Sequence, residues 1–118
     1  MAKDNSAERR YEMMFIIKEN TTEANRNKLL DEVRGFVKET GASIFHEDDW
    51  GLRKLAYIIN GSEAGFYNIF YFENAKSETL KELEQNMTLN QGILRHMVIK
   101  IPSNYQILPM EELAGSQE

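Results

Sequence analysis

The sequence predicts a single α+β domain with the element order βαββαβ, and three observations support this fold class. The chain has 118 residues, which is the size of one domain. Four segments are rich in aromatic and β-branched residues, as strands are, and two carry apolar residues at helical spacing. Turn-forming residues separate these segments. This order predicts a four-stranded antiparallel sheet with both helices on one face.

The first strand and the first helix occupy the N-terminal third of the chain. Residues 9–18 combine aromatic and aliphatic side chains and predict the first strand. Thr21 or Thr22 is suited to cap a helix over about 22–40, and Gly41 is placed to end it. The helix is indicated by an apolar stripe formed by Leu29, Leu30, Val33, Phe36 and Val37.

The middle of the chain predicts two strands that pair as a hairpin. Residues 43–59 read as one long strand that is bent at Gly51, because a glycine inside a strand pattern indicates a bulge. Residues 60–62, Asn-Gly-Ser, form a turn signal. Residues 65–73 are the most aromatic stretch of the chain and predict the partner strand.

The last two elements are a helix and a strand. Ser77 is suited to cap the second helix, and residues 90–92, Asn-Gln-Gly, end it. Residues 93–101 predict the fourth strand, which Pro102 stops because proline cannot donate to a ladder. Along the helix, Leu80, Leu83 and Met87 line one face.

The ends of the chain differ in composition from the part between them. Residues 1–8 are polar and predict a flexible arm, while residues 103–118 are acidic and predict a flexible tail. The predicted folded domain, 9–102, holds 14 acidic and 13 basic residues, so most of the net charge of −5 comes from the ends. A nearly neutral domain should bind RNA weakly on its own and through a local patch.

Composition excludes several classes of protein. The chain has no cysteine, which excludes disulfides and thiolate chemistry and fits a cytosolic protein. Its longest apolar run, Met13 to Ile17, is far shorter than the roughly 20 residues of a spanning helix. The first residues lack the apolar segment of a secretory signal. We therefore predict no membrane association.

Candidate catalytic and metal-ligating residues are few. Glu47, Asp48 and Asp49 form an acidic trio, but consecutive strand residues point to opposite faces and do not converge. His46 and His96 lack a ligand-spaced cluster and are interpreted as ordinary strand residues. No glycine-rich phosphate loop is present. We therefore predict no enzymatic activity, no metal and no cofactor.

The predicted strands carry apolar residues on both faces, although two helices cover only one. In the third strand the second face would hold Tyr67, Ile69 and Tyr71, and in the fourth strand Met97 and Ile99. Apolar patches of that extent usually mark a partner surface, so these five residues are a predicted protein interface. The alternative is that some of these side chains are simply exposed without a partner.

Three sequence runs carry a family resemblance. They are Gly-Leu-Arg-Lys-Leu-Ala-Tyr at residues 51–57, Arg-Arg-Tyr-Glu at 9–12 and Leu-Arg-His-Met-Val-Ile-Lys at 94–100. At these positions of a βαββαβ chain they resemble the bacterial small-subunit ribosomal protein S6 family over about residues 9–101. The seven-residue run is the specific one. Leu94 and His96 depart from the family, in which this strand is often more basic.

The resemblance implies a non-catalytic, ferredoxin-like protein of the small ribosomal subunit in the cytoplasm. It implies binding to 16S ribosomal RNA together with ribosomal protein S18, whose basic charge would supply much of the phosphate neutralisation. Phosphates require fixed positive charge, and a tyrosine can stack on an unpaired base. The implied RNA contacts are Arg9, Arg10, Tyr11, Arg53, Lys54, Arg95 and Lys100.

Two alternatives share the fold class. An acylphosphatase-like hydrolase would need a glycine-rich loop with an arginine between the first strand and the first helix, where this chain has Glu19-Asn20-Thr21-Thr22. A small-molecule-sensing module that dimerises through its sheet would explain the apolar second face equally well. It would not explain the run at 51–57.

Overall fold

The computed structural model describes residues 9–102 and Ile107, and it confirms the predicted order of elements. The strands are β1 (Arg10–Lys18), β2 (Ser43–Ile59), β3 (Ser62–Glu73) and β4 (Ile93–Ile101). The helices are α1 (Glu23–Lys38) and α2 (Ser77–Leu89). The predicted arm, 1–8, and the predicted tail, 103–118, lie outside the described residues apart from Ile107.

The four strands form one antiparallel sheet in the order β2-β3-β1-β4. β1 and β3 are therefore central, and β2 and β4 are the two edges. The register aligns side chains across the sheet, since Met14 of β1 lies opposite Ile69 of β3 and Met97 of β4. Alternate residues along these strands belong to opposite faces.

The main core lies between the sheet and the two helices. β1 contributes Met13, Phe15 and Ile17, and all three are fully buried. Phe15 meets Phe70 of β3 edge-on, with ring centroids 5.1 Å apart. Burying side chains of this size contributes roughly 1.5–3 kcal/mol each. The helices cover this face with a further set of buried residues, Leu29, Val33, Val37, Leu83 and Met87.

Thr22 is the N-cap of α1, which confirms one of the two predicted caps. Its hydroxyl oxygen accepts a hydrogen bond from the backbone N–H of Asn25 at 3.2 Å, which satisfies one of the free donors of the first turn. The helix ends at Lys38, and Gly41 follows in the left-handed region with φ 87°. Glycine reaches that region without steric cost.

The prediction that Ser77 caps α2 is wrong. The N-cap is Lys76, whose side chain makes no capping bond, and Ser77 is the first residue of the helix. The hydroxyl of Ser77 instead accepts a hydrogen bond from Arg9 Nη1 at 3.2 Å. This side chain therefore ties the start of β1 to the start of α2.

β2 is irregular, as the sequence predicts. Its pairing with β3 shifts register between Ile44 and His46 and again between Asp49 and Gly51. Gly51 has φ 75°, which a β-branched or bulky residue would reach only under strain, and its N–H bonds to the carboxylate of Asp49 at 2.8 Å. The bend thus sits where the glycine interrupts the strand pattern.

Arg34 joins α1 to β2. Its Nε and Nη2 atoms each lie 2.9 Å from a carboxylate oxygen of Glu47, and Nη1 lies 2.6 Å from Asp31. The hydrogen bond to Glu47 is the main cause that raises the pKa of Arg34 above its ordinary value. Glu47 therefore stabilises the contact between α1 and β2.

Among the described residues, no helix is both long and apolar enough to cross a membrane.

Candidate functional site

The side of the sheet opposite the helices carries its own apolar surface, which we call the helix-free face. Its positions follow from the register, because Glu12, Met14 and Ile16 alternate with the core residues of β1. Residues of the neighbouring strands lie beside them in cross-strand rows. The face is completed by Tyr67, Ile69 and Tyr71 of β3, by Met97, Ile99 and Ile101 of β4, and by Trp50 of β2.

The structure brings all five residues of the predicted protein interface to this face. Tyr71 and Ile99 both lie opposite Glu12, and Ile69 and Met97 both lie opposite Met14. Their exposure differs. Met97 is 53% exposed and Ile99 is 46% exposed, whereas Ile69 and Tyr71 are buried and Tyr67 is half-buried. The β4 half of the interface is therefore the open half.

A depression of about 280 Å³ lies between the open and the buried halves. This is at the lower end of the volumes that hold small ligands, and its wall is mostly apolar. The lining residues are Glu12, Met14, Trp50, Tyr67, Ile69, Met97 and Ile99. The depression therefore suits one or two side chains of a docking polypeptide better than a larger small molecule.

Glu12 is the acidic group in this apolar wall. Burial raises the pKa of its carboxyl above the ordinary value, and a side-chain hydrogen bond with Tyr71 partly opposes that rise. Within residues 9–102, Glu12 forms no ion pair with a basic side chain. The depression thus contains a carboxylate that a cationic group would stabilise.

A second cluster of apolar residues covers the buried half of the face. Ile69, Tyr71 and Ile101 are its buried members, and three half-buried residues pack on them, namely Met14, Trp50 and Ile107. Ile107 lies five positions beyond Pro102, so it comes from outside the sheet. The indole N–H of Trp50 is buried and has no hydrogen-bond partner among the described residues.

Three of the predicted RNA-binding residues lie on the helix-free side of the sheet. Arg10 pairs with Glu73 at 3.1 Å. Arg53 donates from Nε to the backbone oxygen of Trp50 at 3.0 Å, and its guanidinium lies 5.6 Å from the Trp50 ring. Arg95 lies opposite Ile16 and is exposed. It donates a hydrogen bond to the hydroxyl of Tyr57, near the end of β2.

The remaining predicted RNA-binding residues lie elsewhere, so the seven do not form one patch. Arg9 directly precedes β1, and its side chain donates a hydrogen bond to Ser77 at the start of α2. Lys54 lies opposite Ala64, on the alternate side of β2 from Arg53, and it is exposed. Lys100 is exposed on β4, opposite a core residue of β1.

The structure does not agree with an RNA-stacking role for Tyr11. Its side chain is only 6% exposed and belongs to the core beneath the helices. Its ring is stacked on Phe72 at a centroid distance of 5.6 Å. Tyr11 belongs to the same alternating set as Met13 and Phe15, and this set is the one that faces the helices.

The acidic trio of β2 separates as predicted. Glu47 binds Arg34 of α1, Asp48 lies 2.8 Å from His46 Nε2, and Asp49 holds the backbone of the bend. Across the described ranges, no group of three or more histidine or acidic residues is arranged to hold a metal ion.

Three residues of the site were not predicted from the sequence. The position of Glu12 could have been predicted, because Glu12 and Met14 are two residues apart in β1 and therefore share a face. The position of Trp50 could not, because the shifted pairing at the bend decides which face it joins. Ile107 follows a break in the strand pattern and carries no periodic signal.

Comparisons with known proteins agree on one family. Residues 10–100 match the sequence family described as "Ribosomal protein S6". The chain is 39% identical over 92 residues to the "Small ribosomal subunit protein bS6" of Alkaliphilus oremlandii, which covers 78% of this chain and 96% of that protein. The fold is similar to the crystal structure of 30S ribosomal protein S6 from Thermotoga maritima. That similarity has a TM-score of 0.74 and 28% identity, and it covers 92% of this chain and 94% of the other.

Proposed function

Because the chain belongs to the ribosomal protein S6 family, we propose that its helix-free face binds ribosomal protein S18 and that its basic residues contact 16S ribosomal RNA. Family membership makes the protein a structural, non-enzymatic component of the small ribosomal subunit, located in cytoplasmic ribosomes. The small-molecule-sensing and acylphosphatase-like alternatives are not favoured by these matches. The proposed role would use two surfaces of the chain, namely the helix-free face and the outer part of the β2–β3 hairpin.

The observation that supports a protein partner is the open β4 half of the helix-free face. Met97 and Ile99 are about half exposed and lie beside an apolar depression. Leaving such side chains in water is unfavourable, and covering them contributes roughly 25 cal/mol per Å² of apolar area. A partner that buries both side chains and fills the depression would gain this free energy.

Glu12 supports a partner with basic side chains. Its carboxylate lies in the depression, burial raises its pKa, and no basic residue of the described chain pairs with it. An arginine or lysine from a docking protein would neutralise it in a water-poor setting, where charge-assisted hydrogen bonds are strong. Such complementarity favours a cationic protein over a neutral one.

Arg53 and Lys54 support an RNA contact at the outer part of the β2–β3 hairpin. They are consecutive, they point to alternate sides of β2, and Lys54 is exposed. Two adjacent cations on one strand can reach phosphates that follow one another along an RNA backbone. Arg10 and Arg95 are further candidates on the same side of the sheet as Arg53, whereas Arg9 and Lys100 lie away from that side. Tyr11 is left out because it is buried.

Substitution of the open apolar pair tests the protein interface. Met97→Asp with Ile99→Asp should weaken S18 binding at least about tenfold, which corresponds to about 1.4 kcal/mol. Titration calorimetry with purified S18 measures this, and sedimentation shows incorporation into small subunits. The matched control is Leu89→Asp, because Leu89 is 70% exposed at the end of α2. Equal binding by the double variant and the control would refute the proposed interface.

Removal of the hairpin cations tests the RNA contact. Arg53→Ala with Lys54→Ala should lower the slope of binding against salt concentration by about one to two phosphate contacts, provided that S18 is present. Lys38→Ala with Lys81→Ala is the control, since both lysines are exposed on the helices. An unchanged slope in the hairpin variant would assign RNA binding to other residues.

A further inference from the structure

Tyr57 is the most exposed tyrosine, phenylalanine or tryptophan of the described residues, at 60%. It lies near the end of β2, where the pairing with β3 is interrupted between Lys54 and Ile59. Leu55, two positions earlier, is buried, so the strand stays packed on the domain while the ring of Tyr57 is open to water. A single exposed ring needs no partner by itself, so the groups around it decide what it can bind.

We propose that the ring of Tyr57 stacks on an unpaired base of the ribosomal RNA, while Arg95 holds the ring in place and contacts a phosphate beside that base. The proposal rests on the RNA contact proposed above for Arg53. It adds a base-stacking group to that contact, a role that the buried Tyr11 does not fill. Stacking on aromatic side chains is a common way in which proteins hold bases that have left an RNA helix.

The hydrogen bond from Arg95 leaves a face of the Tyr57 ring uncovered. The guanidinium lies 2.8 Å from the hydroxyl, and its central carbon is 5.5 Å from the centre of the ring. A guanidinium that stacks on a ring comes closer, as Arg26 does on Phe66 at 3.8 Å. Arg95 therefore lies beside the hydroxyl and not flat on the ring. It fixes the position of the ring and leaves room for a base.

Two arginines at this end of the helix-free face have charge available for phosphates. Arg53 and Arg95 form no ion pair with a carboxylate of the described residues. Arg95 lies opposite Ile16 of β1, which lies opposite Tyr67 of β3, and Arg53 of β2 lines a hollow with Tyr67. Three strand spacings, roughly 14 Å, separate the two edges of the sheet. An RNA strand that crosses this end of the face would meet both cations and the ring.

The same charges favour RNA over a protein as the partner of this ring. Leu52 and Ile58 are also exposed near it, and an apolar protein surface would cover them together with the ring. Such a surface would leave Arg53 and Arg95 without anions, and the basic S18 would add further positive charge beside them. RNA supplies phosphates for both guanidiniums and a base for the ring.

Substitution of Tyr57 by leucine tests the stacking. Tyr57→Leu keeps an apolar side chain and removes the aromatic face, so RNA affinity should fall about fivefold or more, which corresponds to about 1 kcal/mol. Tyr57→Phe keeps the face and should stay within about twofold of the parent chain. Filter binding to 16S ribosomal RNA with S18 present measures both variants. The matched control is Ile58→Ala, which truncates the exposed neighbour and should bind like the parent chain. Equal affinities of Tyr57→Leu and Ile58→Ala would overturn the proposal.

The dependence of binding on salt concentration separates the ring from the guanidinium. A base stack neutralises no phosphate, so Tyr57→Leu should leave the salt slope unchanged, whereas Arg95→Gln should lower it by about one phosphate contact. An unchanged slope in Arg95→Gln would remove the phosphate contact of Arg95 from the proposal.

Two outcomes separate the stacking from the proposed function. If Tyr57→Leu lost as much affinity for S18 in calorimetry as for RNA, the ring would belong to the protein interface and the stacking would be overturned. If Arg53→Ala with Lys54→Ala lowered the salt slope while Tyr57→Leu bound RNA like the parent chain, the RNA contact of the hairpin would stand and the stacking alone would fall.

Discussion

The guanidinium of Arg95 donates a hydrogen bond from Nη1 to the hydroxyl of Tyr57 at 2.8 Å. Arg95 belongs to β4 and Tyr57 to β2, which are the opposite edges of the sheet. The Arg95 guanidinium also lies 5.5 Å from the centre of the Tyr57 ring. The far end of the β2–β3 hairpin therefore reaches the other edge of the sheet on the helix-free side, where it borders the proposed interface.

Tyr57→Phe tests this connection. The substitution keeps the ring and removes the hydroxyl, so the chain should lose about 0.5–1 kcal/mol of unfolding free energy, because the pair is exposed. Urea denaturation measures the loss. Tyr67→Phe is the control, since its hydroxyl has no hydrogen-bond partner among the described residues. Equal losses in the two variants would show that the Arg95 bond contributes nothing specific.

Gly65→Ala should destabilise the protein. A Cβ at this position would overlap Cγ2 of Ile16 and lie 3.0 Å from the carbonyl oxygen of Ile17. Overpacking of this kind costs about 1–3 kcal/mol, because backbone and side chain both have to move. The change in unfolding free energy from thermal or urea denaturation measures this cost.

Gly35→Ala is the matched control for that variant and should have the opposite sign. Gly35 lies inside α1, and a Cβ there would meet nothing within 4 Å. Alanine is favoured over glycine in a helix interior by about 0.5–1 kcal/mol, so this variant should be more stable. If both variants lost stability, the free space at Gly35 would not decide the effect.

Glu12→Gln should change stability in a pH-dependent way. Burial raises the pKa of Glu12 in the folded chain above its ordinary value of 4.5. The folded state therefore favours the protonated carboxyl, and this contribution is full below the unfolded pKa and is lost as pH rises through the folded pKa. At pH 7 the glutamine variant should be more stable than the parent chain, and the advantage should vanish near pH 4 and below.

Urea denaturation of both proteins over that pH range measures the effect. Glutamine can still accept a hydrogen bond from Tyr71, so the comparison isolates the charge. A stability difference that stays constant from pH 4 to pH 7 would contradict a burial-raised pKa at Glu12. If a basic partner pairs with Glu12, the same variant should bind S18 more weakly although it folds more stably.

Arg34→Lys tests the connection between α1 and β2. Arg34 holds both carboxylate oxygens of Glu47, and a lysine cannot reproduce two parallel bonds. About 0.5–1 kcal/mol of unfolding free energy should be lost, because both side chains are about one-third exposed and solvent screens the pair. Lys38→Arg is the control on the same helix. No difference between the two variants would show that the paired geometry is unimportant.

The sequence predicted those elements that turn and cap residues delimit. The bounds of β2 and β4 agree with prediction, because Gly41, Asn60, Gly92 and Pro102 interrupt the apolar pattern at their ends. The cap of α2 was mispredicted because the partner of Ser77 is Arg9, which is 68 positions away. Local sequence cannot show such a partner.

The candidate site was predictable where strand parity determines it. Tyr67, Ile69 and Tyr71 alternate with core phenylalanines, so their common face followed from the period of a strand. The basic residues were grouped because they recur together in motifs, although a motif does not show which face each one joins. Tyr11 and Arg10 are adjacent, yet one packs under the helices and the other pairs with Glu73 on the far side.

The register shifts of β2 have a consequence for solubility. β2 has 17 residues and is an edge strand, so its outer backbone groups could template the addition of another chain and start aggregation. Bulges at Ile44/His46 and Asp49/Gly51 break the even spacing of those groups, and three consecutive acidic residues add like-charge repulsion between copies. The same bend that shapes the site should thereby oppose edge-to-edge association of copies of the chain.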